Sequence, residues 1–434
     1  MAPNRRHDRR PTALTRARTP AQIRTLPLRV APVDGESLTS WLAVIAARHK
    51  TSYPLLLNRL VPLSSHNTIR DRFLHLDEIA PPRCISAIAA ALTINEDQVA
   101  AMTLAGLNLP PLLPDNESRY VYTPWGRPLL YRRFCPACLD HDDGRWSLRW
   151  RLPWVTVCIE HAALLYDTCP QCGRKQYRAP GCFGDRQPPR PAFCLCGTDL
   201  RNAALLALPT TAMIDAQRTI NKLAACDRVD SGIYTVTTVS SAQVLTDIRH
   251  IALHVLCTST PASLSTLAGK KDGAAMRRWL QRLSHREADR PTAHLQFSAH
   301  GSAAVVTAGV MAALHVIEQP SLQDAANALT ALAPDSDGYK LLYAPLTFRG
   351  FGPSAPLSGV EVLNQSSTWG NLEKLRFRVY GPLPRRPETP SAVLPILPSI
   401  PTMMWTAWAA ALDVFDRSME WPTYRQTLSW LLPV

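Results

Sequence analysis

Phe134-Cys-Pro-Ala-Cys-Leu-Asp140, then WRLPWVTVCIEHAALL from Trp150 and CPQCG from Cys169, decide how this chain of 434 residues is organised. Two Cys-x-x-Cys pairs, a Cys158-Ile-Glu-His161 pair and a closing Cys194-Leu-Cys196 fall between Cys135 and Cys196. Cys-x-x-Cys suits zinc because a tight turn aims two thiolates at one point about 2.3 Å away. Two such pairs complete a tetrahedron, so the residues divide into two closed sets. Cys135, Cys138, Cys158 and His161 form the first, and Cys169, Cys172, Cys194 and Cys196 the second. Each predicts one structural Zn²⁺ with no open coordination position. Two alternatives stay open on sequence alone. Cys182 could replace Cys194 or Cys196, and His141, in the acidic turn Asp140-His-Asp-Asp-Gly, could compete with His161. Disulfide frameworks belong to small secreted chains, whereas cysteines so paired within a long chain read as metal ligands in a reducing compartment. Cys84, Cys226 and Cys257 lie in apolar helical patterns outside the sets.

Charge gives the next layer. Lysines and arginines number 47 against 34 acids, a net +13. Residues 1–30 carry +7 through eight arginines and Asp8, and residues 119–200 carry +5. A basic leader and a basic, cysteine-rich middle predict a polyanionic partner, with nucleic acid the first choice. The candidate phosphate contacts are Arg132, Arg133, Arg145, Arg149, Arg151, Arg174 and Lys175. Two zinc ions and seven thiolates together reduce the charge of the middle segment, so its basic surface depends on where these side chains point. The longest apolar stretch, Ala303 to Leu314, is shorter than the ~18 residues a span needs, and the arginine-rich start has no signal-peptide core. The expectation is therefore a cytoplasmic, nucleoid-associated protein without membrane contact.

The rest of the sequence predicts a mainly α fold. After a disordered basic tail, 1–25, Leu38, Trp41, Leu42, Ile45 and Ala46 form the stripe of an amphipathic helix. Helices follow near Tyr53–Leu60 and Thr68–Ile79. A short apolar helix, Arg83–Ala91, and a capped one, Glu96–Leu104, have the spacing of a helix-turn-helix, although Glu96 and Asp97 open the second and no cation follows. Asn95 and Gln98 make a capping box. Beyond the cysteines, helices are expected at Met213–Ala225, Ala242–Leu256, the basic Arg277–Leu283, the buried Ala303–Ile317, and from the Ser321 cap to Leu332. A strand or small wing fits Leu372–Tyr380. Seven prolines between 382 and 401 mark a linker before a last helix, Pro401–Phe415. The organisation expected is an N-terminal helical domain (26–118), a double zinc module (119–200), a helical C-terminal domain (201–381), a linker (382–400) and a terminal helical segment (401–434). No phosphate loop, His-Glu-x-x-His or dinucleotide fingerprint is present in the sequence.

FCPACLD, WRLPWVTVCIEHAALL, CPQCG and CLCGTDL, together with LPLRVAPVDGESLTSWLAVIAARH from Leu26, resemble the TniQ/TnsD family of transposon target-selection proteins. The resemblance covers roughly residues 26–200. It departs in Val44, where an arginine is common, and in the proline-rich insertion Pro180–Pro191 before the Cys-x-Cys. It implies a helix-turn-helix-like region followed by paired zinc fingers, holding the eight ligands above and performing no catalysis. It further implies DNA, an AAA+ transposition ATPase and, in some relatives, an RNA-guided effector complex as partners. The function expected is thus a zinc-stabilised DNA-binding adaptor that directs transposon insertion. The alternatives are a zinc-ribbon transcription regulator or scaffold of a mobile element, and a zinc-dependent nucleic-acid enzyme. The enzyme needs an open zinc position and an acid such as Glu160, which two complete ligand sets leave no room for.

Overall fold

A computed structural model describes residues 25–61, 76–118, 120–129, 131–176, 187–287, 302–333 and 352–365, with isolated positions 403, 405–407, 422 and 425. The expected basic tail, linker and Leu372–Tyr380 strand lie outside the described residues, as do most of the expected Thr68–Ile79 and Pro401–Phe415 helices. Within the described residues the fold is mainly α, as the apolar periodicity requires.

The N-terminal unit is a small helical core. Helix α1 (Leu38–Arg48) starts where the Ser37 side chain accepts from the Ser40 amide, and it buries the whole predicted stripe. Helices α2 (Tyr53–Leu60), α3 (Pro82–Leu92) and α4 (Glu96–Ala101) close around it. Leu38, Trp41, Leu42, Ile45, Leu56, Leu57, Ile88, Leu92 and Val99 belong to one buried cluster. Between α3 and α4 the chain turns at Thr93, which takes φ 55°, and Asn95 and Gln98 form the capping box that the sequence predicts. α4 stops at Ala101 rather than Leu104, because Thr103 turns its hydroxyl onto the Ala100 carbonyl and a 3₁₀ turn follows. Its exposed first turn carries Glu96 and Asp97, so α4 presents no basic face.

The middle of the chain uses short elements. β1 (Leu113–Asp115) pairs antiparallel with β2 (Tyr120–Tyr122); α5 (Pro136–His141) follows Cys135; β3 (Val157–Cys158), β4 (Ala163–Leu164) and β5 (Leu206–Ala207) form a three-stranded antiparallel sheet. Strands of two or three residues are too short for alternation to register in a sequence, and none was expected here. Aromatic packing supplies their core. Trp125 meets Trp154, and Trp146 meets both Phe134 and Trp150 in edge-on contacts, while Phe134 stacks on Tyr166.

Helix α6 (Ala212–Ala225) leads into the C-terminal helices, and β6 (Arg228–Val229) pairs with β7 (Val239–Ser240) just before α7 (Ser241–Thr258). Short α8 (Pro261–Ser265), long α9 (Gly269–Glu287), α10 (Ala303–Ile317), α11 (Leu322–Leu332) and α12 (Ala355–Gln365) complete the described chain. α10 is buried on nearly every side, as its unbroken apolar composition demands, and α6, α7 and α11 pack around it. α9 extends a full turn or more beyond the expected Arg277–Leu283 at its N-terminal end, and α12 was not anticipated. One continuous core runs from Leu104 through the cysteine-rich segment to Val360, so the cysteine-rich segment and the C-terminal helices share buried apolar surface.

Candidate metal centres and the arginine clamp

The first cysteine cluster is assembled by a helix start and a hairpin. Cys135 is the N-cap of α5, with Pro136 at the first helical position, and that turn swings Cys138 back beside it. β3 and β4 are joined through Ile159-Glu160-His161-Ala162, and Ala162 takes φ 45° to close the turn, which sets Cys158 and His161 on one side. His161 Nδ1 lies 3.6 Å from Cys135 Sγ, 3.2 Å from Cys138 Sγ and 3.4 Å from Cys158 Sγ; Cys138 Sγ and Cys158 Sγ are 3.5 Å apart.

The second cluster is built from two knuckles. Gly173 follows Cys172 at φ 69° and Gly197 follows Cys196 at φ 90°, a left-handed turn that glycine enters without strain. The Gly173 amide bonds the Cys169 carbonyl, and the Gly197 amide that of Cys194. Cys169 Sγ lies 3.8 Å from Cys196 Sγ, and Cys172 Sγ 3.6 Å from Cys194 Sγ. Gln176 Nε2 donates to Cys194 Sγ at 3.4 Å, while Thr198 Oγ1 meets Cys196 Sγ at 3.1 Å.

These separations test the donor sets. Ligands about 2.3 Å from a tetrahedral centre lie about 3.8 Å apart, and a sulfur–nitrogen edge is slightly shorter. The closest separations in both groups, 3.2–3.8 Å, match such edges, and the four donor atoms of each group lie within 4.8 Å of one another. The donor chemistry agrees, since four soft or borderline ligands suit Zn²⁺. Without a cation the thiols crowd one another. Hydrogen bonds from Cys138 and Cys158 pull Cys135 down to about 3, while Cys135 and Cys158 push Cys138 far up. The Thr198 hydroxyl lowers Cys196 to about 6. A divalent ion removes this conflict by accepting all the thiolates at once.

His141 is exposed, its ring no nearer than 4.0 Å to Asp142, and takes no part in the first cluster. Cys194 and Cys196 both stand in the second cluster; Cys182 lies outside the described residues. Cys84, Cys226 and Cys257 belong to neither group.

The candidate phosphate arginines are corrected more heavily. Arg132 is buried against Thr39 and Asp77, and Arg151 is buried with its Nη2 2.8 Å from Glu78 Oε1. Arg133 is wholly enclosed, donating to Asp167 and to the Pro153 and Val155 carbonyls. Arg145 donates to Glu36 at 2.8 Å and to the Ala31 carbonyl. None of these four side chains is open to a phosphate. A cation taken out of water needs a carboxylate and further acceptors, and here the buried acids Glu36, Asp77 and Glu78 supply them. Arg149 and Arg174 are exposed, and Lys175 is half-buried over the Tyr131 ring.

The clamp explains the motif Gly35-Glu-Ser-Leu-Thr-Ser-Trp41. The Glu36 carboxylate holds Arg145 and Ser40; the Ser40 hydroxyl accepts the Trp146 amide; the Ser37 amide donates to the Trp146 carbonyl; and the Leu148 amide bonds the Gly35 carbonyl. Thr39 bonds Asp77 through both its amide and its hydroxyl. The motif thus docks α1 onto the Arg145–Leu148 segment. Sequence reading missed Asp77 and Glu78 as the receiving acids. Their one available signal was adjacency in a largely apolar stretch.

A helical unit locked by buried ion pairs to a module with two four-ligand cysteine clusters is the class of protein these observations define. Residues 27–165, from the start of the helical unit through the first cluster, match the family TniQ. Over that stretch, about a third of its length, the chain is similar to TniQ proteins. No curated protein matches it. No described helix is long and apolar enough to cross a membrane.

Proposed function

We propose that this protein is a zinc-stabilised DNA-binding adaptor that selects target DNA and recruits an AAA+ transposition ATPase to direct transposon insertion. The observation that carries the reading is the TniQ match over 27–165, which includes the first of two complete ligand clusters and is followed directly by the second. Cys135, Cys138, Cys158 and His161 would hold one Zn²⁺; Cys169, Cys172, Cys194 and Cys196 would hold the other. When bound, zinc supplies folding energy rather than Lewis-acid chemistry, because four protein ligands leave no position for substrate.

The residues around the clusters do the mechanical work. Arg132, Arg145 and Arg151 fix the N-terminal helices to the module, while Asp167, which accepts the Ala303 amide, and Gln217 fix the module to the C-terminal helices. A partner held on one unit is therefore positioned relative to a partner held on another. Simultaneous binding raises the local ATPase concentration at the target, which is the whole output of a non-catalytic adaptor.

The test is metal content per chain on protein purified without chelator, followed by capture of the cognate AAA+ ATPase on immobilised protein with and without duplex DNA. Two zinc ions per chain, lost together with tertiary structure on chelation, and ATPase capture enhanced by DNA are expected. Absence of zinc removes the structural-metal reading. DNA binding without ATPase capture points instead to a transcription regulator or scaffold.

A further inference from the structure

With four of the seven candidate phosphate contacts of the cysteine-rich module spent on internal ion pairs, the surface that meets DNA has to be sought elsewhere. Helix α9 offers it. Through Arg282, its exposed positions are Gly269, Lys270, Lys271, Ala274, Arg277, Arg278, Gln281 and Arg282. Five of the eight are cations and none is an acid. Spacings of three, four and seven put them on one face, about 18 Å long at 1.5 Å per residue. The opposite face is anchored: Met276 and Leu280 are buried, and Trp279 and Leu283 pack against the same core. None of the five cations has an ion pair among the described residues. In the cysteine-rich module four arginines are recruited inward by acids, whereas here two lysines and three arginines face water together.

The local order of elements, a short helix, a turn and a long helix, is that of a helix-turn-helix. α8 starts at a reciprocal Thr260–Ser263 capping box, its Leu264 buried in the core. A 3₁₀ turn, Thr266–Ala268, and Gly269 at φ 71° redirect the chain into α9. The two helices approach closely at Gly273, where an added Cβ would lie 3.4 Å from the Ser265 carbonyl oxygen. In this motif the second helix enters the major groove of duplex DNA.

We infer that the basic face of α9 is the duplex-DNA contact of this protein, with Lys270, Lys271, Arg277, Arg278 and Arg282 on the phosphates. The inference rests on the DNA-binding reading above and assigns it to a helix beyond the TniQ domain. Two lysines at the start of α9 and three arginines further along would meet phosphates on both walls of the groove. Ala274 between them is small enough to let the helix approach.

The test is the salt dependence of binding to a labelled duplex of mixed sequence, using the full chain. Each phosphate contact contributes about 0.9 to the slope of log K against log salt. The triple variant Arg277→Gln, Arg278→Gln, Arg282→Gln should lower the slope by about 2.7, so the affinity loss between 50 and 200 mM salt shrinks about 40-fold. Lys270→Gln with Lys271→Gln should lower it by about 1.8. All five side chains are exposed, so zinc content and melting temperature should hold, and the lysine pair decides the matter if the triple variant does not fold. Wild-type binding with an unchanged slope in both variants overturns this assignment and leaves the adaptor reading intact. Preferential competition by single-stranded RNA overturns the duplex assignment. Failure of the wild-type chain to bind any duplex removes both this inference and the DNA half of the proposed function, while ATPase capture remains an independent result.

Discussion

The same residue type serves opposite ends in this chain, and environment decides which. Arg132 and Arg151 lie within the basic run that composition assigns to phosphates, yet both are buried on Asp77 and Glu78. Removing one partner of such a pair strands the other charge, at a cost of about 3–5 kcal/mol. Arg132→Met should therefore destabilise the chain by about 3 kcal/mol in urea unfolding, and adding Asp77→Asn should recover part of the loss. If the single substitution is neutral, the pair contributes nothing to holding the N-terminal helices. At the ligands, Cys135→Ser should lower zinc from two ions per chain to one and reduce the melting temperature by at least about 5 °C, since structural metal is folding energy. Unchanged melting with lost zinc would show that this centre is not structural.

At the scale of elements, two-residue strands hold their place through side chains from helices. β3, which carries Cys158, is fixed by Gln217 on α6: its Oε1 accepts the Thr156 amide at 2.8 Å and the Val157 amide at 3.0 Å, and its Nε2 donates to the Trp154 carbonyl at 3.1 Å. Thr307 on buried α10 adds a hydroxyl contact to Thr156 at 2.8 Å. Asp167 receives Arg133 and also accepts the Ala303 amide at 2.7 Å, at the start of α10. Gln217→Leu leaves two buried amides without an acceptor, so it should cost about 2–5 kcal/mol and make the first centre lose zinc to a chelator faster than the second. Equal loss rates from both centres would mean that α6 does not support the first. None of these ties could be read in advance, because they join positions 34 to 151 residues apart. The helices themselves were legible: α1, α6, α7, α10 and α11 follow apolar periodicity and caps that are local properties of the sequence.

Across the whole molecule, one buried carboxylate joins three separate parts of the C-terminal region. Asp247 on α7 accepts from Tyr234, from Gln243 and from both the amide and the hydroxyl of Ser354, next to the start of α12. Burial pushes it up to about 6 from an ordinary 3.8, despite those four donors. The folded state therefore holds this proton more tightly than the unfolded chain does. Stability from this group is complete below pH ~4 and declines as pH rises to about 6, by up to about 3 kcal/mol. The difference in unfolding free energy between wild type and Asp247→Asn should thus shift in favour of the variant between pH 4 and pH 7. A pH-independent difference would show that the hydrogen bonds fully offset the burial.

By itself the sequence determined the helical class, the caps, the pairing of the cysteines into Cys-x-x-Cys turns and the resemblance to TniQ. Each of these is carried by spacing along the chain: 3.6-residue periodicity, Cys-x-x-Cys turns and a contiguous motif. Only the tertiary structure decided which cations face water. Net charge sums over all arginines alike, whereas a guanidinium becomes structural only when the fold brings a buried acid such as Asp77 or Glu78 within reach. That is why Arg132, Arg133, Arg145 and Arg151 are spent inside the fold, while the arginines of α9, with Met276 and Leu280 anchoring its other face, are left exposed.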